Sequence, residues 1–177
     1  MLVFWRQGYE GASLADLTGA MGITKTSMYA AFGNKEQLFR KALARYDEGP
    51  ASYALRAIEK PTAHEVATAF LTGSVHTTTQ PGGPAGCLGV QGSLAAGGSG
   101  EPARDILAEW RAHGRRLLET RFRRAADEGD LPPGTDARRL ALFVMTVAFG
   151  IAVQAASGVS RADLQEIADT ALRDWPV

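Results

Sequence analysis

Seventeen residues, Ser13 to Tyr29, must make two short helices with almost nothing between them. Ser13 opens S-x-x-D with Asp16, and Leu14, Leu17 and Met21 recur at i, i+3 and i+7, the pattern of a capped helix with one apolar stripe. Gly22 can take the left-handed backbone that stops it, Ile23 can plug the corner, and Thr24 can cap the next helix through Tyr29. This is helix-turn-helix spacing, in which the first turn of the second helix meets base edges in the major groove. Thr24, Lys25, Thr26 and Ser27 are therefore candidate contact positions. Tyr29 and Lys35 fall where a phenol and an ammonium hold phosphates, and a third helix capped by Asn34, with Gln37 three residues on, offers free backbone N–H groups. From Lys25 to Lys41 the charges are Lys25, Lys35, Arg40 and Lys41 against Glu36 alone. The same spacing also fits a helical hairpin whose Lys and Thr merely meet solvent.

The stretch SLADLTGAMGITKTSMYAAFGNKEQLF, preceded by FWRQGYEG, resembles the DNA-binding domain of the tetracycline-repressor (TetR) family of bacterial regulators over Phe4 to Phe39. The resemblance implies an all-α chain: residues 1–47 as a three-helix helix-turn-helix DNA-binding domain, and 48–177 as a helical ligand-binding and dimerisation domain. It implies a homodimer on a palindromic double-stranded DNA operator, released when a small-molecule effector enters the C-terminal domain. Lys25, Thr26, Ser27 and Tyr29 match the family's recognition-helix contacts and Lys35 its phosphate-contacting lysine. Ala31 stands where many members carry His or another polar residue, so that contact is not carried over. Met1 sits directly on the apolar run Leu2 to Trp5, under two turns before Gly8, so the first helix is expected to belong to a longer one with a basic start upstream.

The 19 Lys and Arg and 19 Asp and Glu cancel, but they are not evenly spread. None lies between Glu65 and Glu101 or between Arg139 and Arg161. The first 47 residues hold Arg6, Lys25, Lys35, Arg40, Lys41 and Arg45 against Glu10, Asp16, Glu36 and Asp47, so a basic N-terminal part is balanced by an acidic remainder. The run Leu140 to Ser160 is long enough to cross a bilayer at ~1.5 Å per residue. Thr146, Gln154, Ser157, Ser160 and its Ala and Gly content instead suit a helix buried in a core or between subunits. The opening residues lack a secretory signal pattern and the single cysteine leaves no intrachain disulfide, so the cytoplasm is expected.

Beyond Pro50 and Pro61, Thr62 with Glu65 predicts a capping box, Pro102 to Glu128 a long amphipathic helix with Ile106, Trp110, Leu117, Leu118 and Phe122 inward, and Ser160 with Asp163 a last cap. Pro81 to Pro84 and Gly97 to Gly100 read as loops. A ligand pocket is expected among Phe70, His76, Leu88, Trp110, Leu117 and Phe143. Cys87 lies in GCLGVQGSLAAGG, similar to a segment in a subset of TetR-like regulators, and reads as a small buried hydrophobe. His64, His76 and His113 lack metal-site spacing, and no nucleotide or hydrolase fingerprint occurs, so neither a metal, a cofactor nor an enzyme is expected. Small and large residues along the uncharged helix suggest a dimer face including Leu142, Phe149, Ala152, Ile167 and Ala171. A helical small-molecule-binding or oligomeric protein that has lost operator binding, and a membrane-attached regulator, stay open as alternatives.

Overall fold

A computed structural model describes residues 1–91, 101–173 and 175–176, so the loop expected at Gly97 to Gly100 lies outside the described residues. Among these the regular elements are all helical. They are α1 (Leu2–Gly11), α2 (Leu14–Met21), α3 (Lys25–Phe32), α4 (Lys35–Glu48), α5 (Tyr53–Ile58), α6 (Ala63–Thr78), α7 (Leu88–Gln91), α8 (Glu101–Asp127), α9 (Ala137–Ala156) and α10 (Arg161–Leu172). The capping signals act as the sequence implies. Ser13 accepts from Asp16 N–H, Asn34 from Gln37 N–H and Thr62 from Glu65 N–H, each with the reciprocal bond of a capping box. Asp136 and Ser160 cap α9 and α10. Gly22, at φ 66° and ψ 29°, takes the left-handed turn, and Ile23 N–H returns to Thr18 O, closing α2 before α3 begins.

Two features were not foreseen. α1 continues to Gly11 through a break at Gly8, and α3 runs to Phe32 rather than Tyr29. Short helices α5 and α7 form in stretches to which the sequence pattern assigns no helix.

The N-terminal core does not stop at residue 47. Phe4, Trp5, Met28, Phe39 and Tyr46 are buried in one cluster with Cys87, Leu88, Ile106, Leu107 and Ala152. Trp5 is the joint: its indole N–H donates to Gly86 O over 3.2 Å and its ring meets Tyr46 edge-on at 4.8 Å. A second cluster, around Val66, Phe70, Leu118, Phe122, Val144 and Ile151, packs α6 against α8, α9 and α10. Arg121, buried there, donates to Ile58 O, Lys60 O and Pro61 O and so caps the end of α5.

These packings account for part of each charge-free run. α6 buries Val66, Ala67, Phe70, Leu71, Ser74, Val75, Thr77 and Thr78, leaving little room for charge. α9 is long and apolar enough to cross a membrane, yet one face, including Ala141, Ala148, Ala152 and Ala155, is buried within the chain. Its opposite face carries exposed Leu142, Phe143, Thr146, Gly150 and Val153 with half-buried Phe149. On α10, Ile167 is exposed beside it. Ala152 is thus corrected from the expected dimer face: it is 1% exposed and packs inward in the N-terminal cluster.

Candidate nucleic-acid interface and adjoining cavity

α3 is held by one anchor, fully buried Met28, while Lys25, Thr26, Ser27 and Tyr29 are exposed. Thr24 accepts from Ser27 N–H at 3.1 Å, and the Thr24 and Ser27 hydroxyls lie 3.0 Å apart. The first turn is therefore ordered before any partner arrives. Lys35 is less free than expected. Its ammonium sits 4.6 Å above the Tyr9 ring, which stacks on Phe4 and meets Phe39 edge-on. Burial lowers its pKa, with Glu10 acting the other way. Tyr9 thus positions the Lys35 ammonium, a contact that spacing alone does not show. Lys41 lies over Phe32, at 5.3 Å. Arg40 is drawn away from the basic face, pairing with Glu36 at 3.3 Å and with Glu109 of α8 at 3.7 Å.

At the other end of α4 lies a cavity of about 120 Å³. Asp47, Tyr53, Phe70, Cys87, Trp110, Leu117, Met145 and Phe149 contribute to its wall, with exposed His113 and Leu55 also lining it. Of the expected pocket residues, Phe70, Trp110 and Leu117 line it. The other three are corrected. His76 and Phe143 lie on outward faces of α6 and α9, and Leu88 is spent in the N-terminal core.

Trp110 Nε1 donates to both carboxylate oxygens of Asp47, at 2.8 and 3.0 Å. A Cβ at Gly89 would lie 2.2 Å from the Trp110 ring, so glycine there lets the indole seat. Tyr46 donates its hydroxyl to Cys87 Sγ at 3.4 Å. Burial pushes the Cys87 thiol up, with the Tyr46 bond and the backbone N–H groups of Gly89 and Val90 opposing it. Asp47 was not anticipated in the cavity. Its only visible signal is its place in an Asp47–Glu48 acidic pair that ends a largely basic helix.

Burial pushes the Asp47 carboxyl above its ordinary value, Glu48 adds to the push, and Trp110 and His113 oppose it. The folded chain therefore holds the Asp47 proton to a somewhat higher pH than the unfolded chain does. That stability is fully present below the ordinary carboxylate range and is lost as pH rises through the raised value. Asp47→Asn should flatten this part of the profile, from the ordinary carboxylate range upward. Thermal melts of both proteins across that range check it, and parallel profiles would contradict it.

Residues 1–42 match the family described as bacterial regulatory proteins, tetR family, and residues 66–171 match the tetracyclin repressor-like C-terminal domain. The HTH-type transcriptional repressor ComR of Escherichia coli is 34% identical over 179 residues, covering 99% of this chain and 85% of that one. A cysteine-substituted CifR regulator, solved with 26-bp operator DNA, superposes with a TM-score of 0.93 at 44% identity, covering 99% and 92% of the two chains. A putative TetR regulator from Rhodococcus sp. RHA1, also 44% identical, gives 0.68 over 98% and 93%.

Proposed function

Because the chain belongs to the TetR family of bacterial transcriptional regulators, we propose that it is an operator-binding repressor that a small molecule in the α4–α8 cavity releases from DNA. The carrying observation is the placement of α4. Its 14 residues reach about 20 Å at the usual rise. One end presents Lys35 and capped N–H groups beside α3; the other places Asp47 in the cavity wall. A ligand that repositions Asp47 and Trp110 tilts the helix that carries the interface. Its effect on DNA equals its preference for one of the two arrangements.

The relatives ComR and BdcR carry the name repressor, and CifR was solved on operator DNA, which supports repression through double-stranded DNA. The function assigns Thr24, Lys25, Thr26, Ser27 and Tyr29 to the groove and its rim, and Lys35 to a phosphate. Two copies join through the apolar face of Leu142, Phe149, Ile167 and Ala171, where Val153 also lies. The place of work is the cytoplasm, where the DNA is, and α9 serves as a core and interface helix.

Lys25→Ala should relax discrimination among operator bases at a cost of about 1–3 kcal/mol, whereas Lys35→Ala should weaken binding to all sequences alike and reduce the salt slope by about one. Titrations of operator and scrambled duplexes at several salt concentrations separate the two. Unchanged affinity in both variants would overturn the assignment.

A further inference from the structure

We infer that the cavity takes a small, single-ring or similarly sized ligand bearing a protonated amine, held by Asp47 at the polar end with the apolar body toward Phe70, Leu117 and Met145. The inference rests on the effector-cavity reading above and adds the ligand's chemical class.

Size comes first. About 120 Å³ is of the order of the engineered apolar cavity of about 150 Å³ that admits benzene, so the space suits a single ring, with room for a short substituent only toward the rim where His113 and Leu55 are exposed. Charge comes next. Among the described residues no Lys or Arg lines the cavity, and Asp47 is its only acidic side chain. Among the described residues no cation lies within 4 Å of that carboxylate. Among those residues its one hydrogen-bond donor is the neutral Trp110 N–H, shared between both oxygens. A carboxylate has about four acceptor positions, so most of its capacity is unspent. Glu48 lies on the same side of the balance and exposed His113 at the rim opposes it. A half-buried carboxylate with one neutral donor is completed by a cation, whereas an anion would meet the Asp47 charge and no Lys or Arg on these walls. Trp110, Phe70, Tyr53 and Phe149 add aromatic surface, to which an ammonium is also attracted.

Two other polar groups of the wall are already engaged. Ser74 donates to Ala148 O, and Cys87 receives the Tyr46 hydroxyl. Asp47 is left as the group that selects.

Calorimetric titration of the full chain at neutral pH with benzylamine, benzyl alcohol and benzoate tests this directly. Benzylamine should bind at least about tenfold more tightly than benzyl alcohol, as a charge-assisted bond replaces a neutral one, and benzoate should be weakest. Asp47→Asn, which keeps an acceptor for Trp110, should bring benzylamine down to the affinity of benzyl alcohol. Leu117→Trp, which fills the cavity, should remove binding of all three, with circular dichroism verifying that each variant folds. If benzyl alcohol binds in the cavity but benzylamine has no advantage, or if the advantage survives Asp47→Asn, the amine class is wrong and the cavity reading stands. If none of the three binds, or benzylamine binds unchanged in folded Leu117→Trp, the cavity reading falls with it.

Discussion

Leu142→Glu combined with Ile167→Glu should leave the chain monomeric and weaken operator binding by more than about a hundredfold. Both side chains are more than half exposed, at 52% and 56%, so neither glutamate enters the core and each alone should leave stability nearly unchanged. They lie on the charge-free outer side of α9 and the neighbouring face of α10. In a two-fold assembly each glutamate occurs twice, so four carboxylates would be buried without partners. Operator affinity depends on this because a linked second half-site raises avidity by roughly 10²–10⁴. Analytical ultracentrifugation reads the mass, and a titration with duplex DNA reads the loss. A double variant that stays dimeric would place the interface elsewhere.

Trp5→Ala should cost about 3–5 kcal/mol, a large share of the roughly 5–15 kcal/mol that holds most domains together. Trp5 is fully buried, donates to Gly86 O and meets Tyr46 edge-on, so its loss empties the joint between α1, α4 and the segment before α7. For a chain of this length the melting temperature should fall by roughly 10 °C or more. Trp5→Phe keeps most of the packing and loses only the bond to Gly86, about 1 kcal/mol. Calorimetric melts of the two variants separate packing from hydrogen bonding. A small, equal fall in both would show that the joint carries little.

The helices and their boundaries were largely legible because the signals are local. Ser13, Thr24, Asn34, Thr62 and Ser160 each cap a helix through a neighbour three residues on, a distance that spacing shows directly. The candidate groove contacts were legible for the same reason, since Gly22 and the start of α3 fix which side chains point outward. Contacts across long separations were not. The Trp5–Gly86 bond spans 81 positions and the Trp110–Asp47 bond 63, and no periodicity relates such pairs. For that reason Asp47 was missed, while His76, Leu88 and Phe143 were placed in a pocket they do not line. The alanines of α9 show a further limit: small residues permit close approach but do not say to what. Ala152 meets the chain's own core, whereas Leu142 on the other side meets solvent. The zero net charge also gained detail. Arg40 is tied to Glu36 and Glu109, so Lys25, Lys35 and Lys41 carry the positive face beside α3.

The most direct measurement is the affinity of the full chain for the DNA upstream of its own gene, against a scrambled duplex of equal length, as salt is raised. An operator-binding dimer should show a dissociation constant in the range of about 10⁻⁸–10⁻¹¹ M at ~0.15 M salt, at least about 10³-fold tighter than for the scrambled duplex, and weakening linearly on a log–log salt plot. Equal affinity for both duplexes across that salt range would contradict the operator-binding claim.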